Sequence, residues 1–99
     1  MIQDYALEYA RAFLDTPSFG FFWSSSLTHD NLNLLNLADE PCLQYLQEME
    51  KMGALNNTAL FFVSDHGIRF GDIRSTYVGM LEERLPYVIL YLPPWFRKK

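Results

Sequence analysis

The sequence predicts an α/β fold in which parallel strands are joined by β-α-β crossover helices. Three observations carry that prediction. Ala59 to Val63 is an unbroken apolar run, rich in β-formers and too short for a typical helix. A run without alternation fits a strand covered on both faces, as in a parallel sheet. A second run of the same character, Phe19-Gly20-Phe21-Phe22-Trp23, lies upstream, and Asp39 to Gly53 between them reads as a helix. Strand, helix and strand in that order make a right-handed crossover.

In chain order, Ile2, Ala6, Tyr9, Ala10 and Phe13 share one helical face, with Gln3, Glu8 and Arg11 largely elsewhere. Thr16-Pro17-Ser18 ends this helix, because the residue before a proline disfavours helical dihedrals. The aromatic strand Phe19–Trp23 then opens into the polar stretch Ser24 to Asp30. Asn31 to Ala38 alternates Asn with Leu and is expected to form a loop or short turn. Asp39 is the expected N-cap of the crossover helix, with Glu40 and Pro41 in its first turn. Cys42, Leu46 and Met49 follow helical spacing, Leu43, Tyr45 and Met52 widen the apolar stripe, and Gly53 closes the helix. Asn56-Asn57 turns the chain into the Ala59 strand, and Gly67 and Gly71 open it out. Pro86 to Leu92 reads as a third strand, stopped by Pro93-Pro94, with Trp95 and Phe96 entering packed structure.

A chain of 99 residues with 49% apolar content can form one small domain with a modest core. The net charge of −4 argues against a nucleic-acid partner, and the terminal Arg97-Lys98-Lys99 is too short to reverse that. The single cysteine, Cys42, excludes an internal disulfide framework. Asp4 and Glu8 near the start leave no visible signal peptide, and no apolar stretch reaches membrane-spanning length. Asn56-Asn57-Thr58 fits a glycosylation sequon, of consequence only in a secreted parent.

The chemistry gathers at strand ends. Ser64, Asp65, His66 and Gly67 follow the Ala59 strand at the edge where open α/β sheets place ligands. Asp65 and His66 offer a hard oxygen and an imidazole nitrogen, suited to a divalent ion once further ligands come from elsewhere. A plain turn, with Asp65 bonding backbone amides and His66 exposed, accounts for the same residues. His29 stands in the equivalent place after the Phe19 strand, and reads equally as an exposed loop histidine beside Asp30. If the two strands are parallel neighbours, His29 and His66 emerge at one sheet edge. Arg69 and Arg74 flank Gly71-Asp72 and could grip a phosphate or sulfate through paired hydrogen bonds. Pairing with Asp72, Glu82 or Glu83 is the other reading, and suits Arg84 better than Arg74.

Thr58-Ala-Leu-Phe-Phe-Val-Ser-Asp-His-Gly67 resembles the metal-binding strand and loop of the alkaline phosphatase superfamily, in particular its sulfatase-like branch. The continuation Arg74-Ser-Thr-Tyr-Val-Gly-Met-Leu-Glu-Glu-Arg-Leu-Pro86, with Tyr87 to Leu92 after it, is closer still to one subfamily. That subfamily is the sulfatase-like domain of unknown function 229, of animal extracellular proteins. The resemblance is most specific over Thr58 to Phe96 and holds register from Phe19 onward.

The resemblance implies that residues 1–99 are a fragment of a single alkaline-phosphatase-like catalytic domain several times longer. The implied activity is hydrolysis of phosphate or sulfate esters, in which a nucleophile attacks phosphorus or sulfur with metal ions offsetting the developing charge. Asp65 and His66 take the role of ligands to one divalent ion (zinc, manganese or calcium), and His29, Arg69 and Arg74 that of contacts to the substrate anion. The spacing between the arginines departs from the family pattern. Cys42 is followed by Leu43, Gln44, Tyr45 and Leu46, so the formylglycine motif of sulfatases is absent. The hydroxyls of Ser24 to Ser26 and Thr28 lie outside the family's nucleophile context, so no catalytic residue is assigned. The chain alone is expected to be inactive without the remainder of its catalytic domain. A parent in the secretory path or outside the cell is implied, with no membrane segment in this stretch. The alternative is a non-catalytic extracellular sulfatase-like protein used for binding or structure. The upstream sequence, with or without an Asp and a nucleophile after the first strand, separates the two. In the intact parent, Phe61 is expected to be a core residue.

Overall fold

The computed structural model describes every residue except Leu27, Thr28, Asp30 and Lys99, and only the backbone of Leu32. The chain divides into two compact units, one formed by Met1–Thr58 with Pro93–Lys99 and the other by Ala59–Leu92.

In the first unit, α1 (Ile2–Ala12) and α2 (Asn36–Lys51) pack together. Ala6, Met49 and Ala54 form the buried hydrophobic core among the described residues. Ala6 has a small side chain, so the helices can approach closely there. Gln3 Nε2 donates to Cys42 Sγ at 3.3 Å, and Arg11 reaches Glu48 at 3.6 Å. Cys42 is a half-buried free thiol on α2, in keeping with its reading as a small helical residue. Burial pushes the phenol of Tyr45 above its ordinary range.

Helical winding starts earlier than Asp39. The Asn31 side chain accepts from the Asn33 N–H at 2.9 Å and caps a 3-10 turn over Leu32–Leu35, which runs directly into α2. Asp39 therefore sits in the first turn, where its charge favours the helix dipole, and Pro41 lies inside the helix. Having no N–H, Pro41 leaves one turn of the ladder unbonded. Gly53 ends α2 as expected. Its φ of 79° is a left-handed conformation that favours glycine, and its N–H donates to the Glu50 carbonyl at 3.0 Å.

Phe19–Trp23 forms neither helix nor strand here, and lies against α1 instead. Tyr9 donates its hydroxyl to the Phe19 carbonyl at 3.0 Å. The Phe22 ring meets Tyr5 and Tyr9 edge-on, with centroids 6.0 and 5.5 Å away, the geometry that aromatic quadrupoles prefer. Short Pro94–Arg97 (α4) follows Pro93, where proline lacks only a donor that a helix start does not need.

The second unit contains the one sheet among the described residues. β1 (Leu60–Val63) pairs antiparallel with β2 (Val88–Tyr91), Leu60 facing Tyr91 and Val63 facing Val88. Both strands fall inside the runs read from the sequence as strands. Side chains opposite one another share a face, so Leu60, Phe62, Ile89 and Tyr91 line one side and Phe61, Val63, Val88 and Leu90 the other. The second set is exposed throughout, Phe61 by 63%. Phe61 is thus no core residue within this unit; Phe62, half-buried and stacked on Tyr87 at 5.9 Å, is the better packed of the two.

Between the strands, a 3-10 turn over Asp72–Ser75 leads into α3 (Tyr77–Arg84). Thr76 caps α3 by accepting from the Gly79 N–H at 3.0 Å while its hydroxyl donates to the Ile73 carbonyl at 2.6 Å. Gly79 is buried, and a β-carbon there would run into the Ile73 carbonyl. Backbone cannot swing aside as a side chain can, so Gly79→Ala should destabilise the protein by about 1–3 kcal/mol through overpacking. A denaturant midpoint unchanged by that substitution would show that α3 does not dock on the turn in this way.

Candidate functional site

The strand ribbon stops at Ser64. Its N–H donates to the Tyr87 carbonyl at 3.1 Å, and the Tyr87 N–H donates to Ser64 Oγ at 3.0 Å. These two bonds finish the ladder, and the chain leaves it at Asp65. The loop then lies flat on α3 because Gly67 has no β-carbon; one would meet the Glu82 carbonyl and lie 2.9 Å from the Glu83 nitrogen. Gly71, at φ 85° and ψ 170°, adopts a conformation nearly closed to other residues and turns the chain into Asp72–Ser75.

Asp65 and His66 are held by local bonds. The His66 backbone N–H donates to Asp65 Oδ1 at 2.7 Å, and His66 Nδ1 lies 2.7 Å from the Gly67 carbonyl. A carbonyl only accepts, so Nδ1 carries the hydrogen and the lone pair of the neutral ring resides on Nε2. Asp65 Oδ2 and His66 Nε2 face each other across 3.8 Å. Two tetrahedral zinc ligands at about 2.0–2.2 Å from the ion stand about 3.3 Å apart, so a small closure brings the pair into range. A ring nitrogen tied to a carbonyl behind the ligand atom is also the usual outer-shell arrangement of metal-binding histidines. The pair therefore fits a divalent ion as part of a ligand set. Among the described residues no group of three or more His, Cys, Asp or Glu gathers to complete it.

The His66 backbone N–H holds the Asp65 carboxyl below the usual carboxylate range, with desolvation in partial opposition and the His66 ring and Arg69 guanidinium adding to the lowering. Arg69 thus stands within electrostatic reach of the pair. Its Nε lies 4.0 Å from Glu83 Oε1, while Arg74 Nε donates to Glu83 Oε2 at 3.3 Å. The turn after Gly71 brings Arg74 back to the carboxylate that Arg69 approaches from the Gly67 side. Of Asp72, Glu82 and Glu83, the partners the sequence offers, Glu83 pairs with Arg74 and lies at ion-pair distance from Arg69, although the ion-pair reading suited Arg84 better than Arg74.

His29 belongs to the first unit, where its backbone N–H donates to the Ser25 carbonyl at 3.1 Å and its residue is exposed. Its neighbour Asp30 and the hydroxyl of Thr28 lie outside the described residues. Thr76 and Gly79 belong to no motif read from the sequence, and Glu83 stands there only as one of three possible arginine partners. The sequence carries a sign of α3 all the same: Thr76 precedes a stretch with Val78 and Leu81 at helical spacing, and Pro86 follows its end.

The chain matches, over residues 1–99, the family model described as "Protein of unknown function (DUF229)", and it belongs to that family. No curated protein and no solved structure matches the chain. No helix among the described residues is long and apolar enough to cross a membrane.

The Asp65 lowering yields a test by carbon-detected pH titration. A depressed folded pKa means that the carboxylate persists below the pH at which an unfolded Asp protonates. Any stabilisation is present above the unfolded value and is lost as pH falls through the folded one. In His66→Ala the backbone N–H remains, so Asp65 should still titrate below the ordinary range. A return to the ordinary value would assign the effect to the imidazole instead.

Proposed function

We propose that this chain is part of a metal-dependent hydrolase of phosphate or sulfate esters. The observation that carries the reading is the paired presentation of Asp65 Oδ2 and His66 Nε2, each with its other polar atom already engaged by backbone. Arg69 stands within electrostatic reach of them and shares Glu83 with Arg74, two arginines of a kind that recognises tetrahedral oxyanions. A divalent ion (zinc, manganese or calcium) would supply Lewis-acid polarisation of an ester oxygen and a lowered pKa for the attacking group. The chain's own part is to hold ligand atoms and bind the substrate anion: Asp65 and His66 the first, Arg69 and Arg74 the second. The nucleophile and further ligands come from the remainder of the catalytic domain.

The architecture belongs to the same proposal. A two-stranded ribbon is marginal alone, and this one is apolar on both faces, as suits a strand pair inside an α/β sheet flanked by helices. The parent is expected to supply the parallel strands that flank it. By family likeness that parent is secreted or extracellular, where the exposed Asn56 sequon becomes an acceptor.

In the whole protein, Asp65→Ala and His66→Ala should each cut metal affinity at least tenfold and abolish ester hydrolysis, with thermal unfolding near wild type. Metal content by mass spectrometry, read beside the unfolding curve, decides the matter. Full occupancy in both variants would reduce the pair to a turn and favour a binding or structural protein. Phe61→Ala tests the sheet separately. Covered on that face by the parent, Phe61 should cost about 3–5 kcal/mol on truncation. Left exposed as in this unit, it should cost well under that in the same unfolding measurement.

A further inference from the structure

Glu83 is the most occluded member of its cluster. Its side chain is 16% exposed, against 61% for Arg69 and 58% for Arg74. The carboxylate lies beneath the two cations, between the loop and the helix that carries it. Both arginines address it through Nε, at 4.0 and 3.3 Å. The terminal Nη1 and Nη2 groups, the fork that binds oxyanions through parallel hydrogen bonds, make no hydrogen bond among the described residues.

We propose that Glu83 is a positioning residue, which anchors Arg69 and Arg74 by their Nε atoms so that their outer guanidinium forks form one receptor for a tetrahedral dianionic oxyanion. This rests on the reading of the two arginines as substrate contacts, and adds the group that orders them. The physical gain is entropic. A free arginine side chain loses rotamer freedom when fixed, and Glu83 takes much of that loss in folding, before any anion arrives. Glu83 offsets one of the two guanidinium charges, so the three groups together keep a positive charge for a dianion, with Asp65 the next carboxylate, within electrostatic reach of Arg69. Gly67 and Gly79 make the assembly possible, since the arginines on either side of Gly71 reach one carboxylate only with both segments seated on α3.

A contrary role for Glu83 is physically available. A carboxylate beside two arginines can act as their standing counterion and compete with the ligand. The two roles differ in the sign of one measurement. The probes are inorganic phosphate and inorganic sulfate, titrated separately by calorimetry into the whole protein with chelator present, so that neither metal nor turnover enters. Glu83→Gln should weaken phosphate binding about tenfold. Unchanged or tighter binding in a folded Glu83→Gln protein overturns the proposal, as does a wild-type protein that binds neither anion. Arg74→Lys keeps the charge and loses the fork, and should also weaken phosphate binding about tenfold. That variant alone decides the matter if Glu83→Gln fails to fold, and undiminished affinity in it overturns the shared receptor. The ratio of phosphate to sulfate affinity in the wild type tells which ester the receptor suits. An inactive protein with Glu83-dependent anion binding would remove the hydrolase reading and leave this one standing. An active protein indifferent to Glu83→Gln would do the reverse.

Discussion

The second unit depends on two places where backbone touches backbone without a side chain between. At Gly67 the loop after β1 rests on the main chain of α3, and at Gly79 α3 rests on the main chain of the preceding turn. Glycine loses more conformational freedom on folding than any other residue, so each contact starts from a deficit. What offsets it is local bonding: the two hydrogen bonds of the Thr76 hydroxyl, the Ser64–Tyr87 exchange, and the Glu83 ion pairs. None of these is a buried hydrophobic contact. The unit holds its functional loop by hydrogen bonds and close approach, with apolar surface directed outward.

The legible parts of the fold were those written in apolar periodicity and in glycine. The first helix, which stops at Ala12 and not at Thr16, the Gly53 stop, and the strands around Leu60 and Val88 all stand where their patterns put them. The start of α2 was misread because Asn31 caps a 3-10 turn by its side chain, a signal weaker in sequence than the Asp-Glu-Pro of residues 39–41. The Phe19–Trp23 run was read as a strand from composition alone. Aromatic rings also satisfy themselves against other rings, and Tyr5 and Tyr9 provide that here.

At the site, adjacency was legible and pairing was not. Asp65 and His66 touch because they are neighbours, and any reader of the sequence places them together. The Glu83 cluster joins residues nine and fourteen positions apart across a turn whose path depends on Gly71 at positive φ. Charge alone offered Asp72, Glu82 and Glu83 as equal partners. Only the docking of α3 chooses among them, and that docking is set by missing β-carbons, which no pattern of charge records.

The outward-facing ribbon has a consequence for how the chain is made. Among the described residues the sheet has two strands, so each of β1 and β2 has an outer edge along which an extended segment, including one of another nascent chain, can add. Prolines stand at both ends of the second strand, Pro86 before it and Pro93-Pro94 after it. Lacking an N–H, they shorten the stretch along which a stranger can zip up. The first strand has no such guard and emerges from the ribosome ahead of its partner. Its safety during synthesis rests on the speed with which the intervening 24 residues, Ser64 to Tyr87, deliver β2 to it.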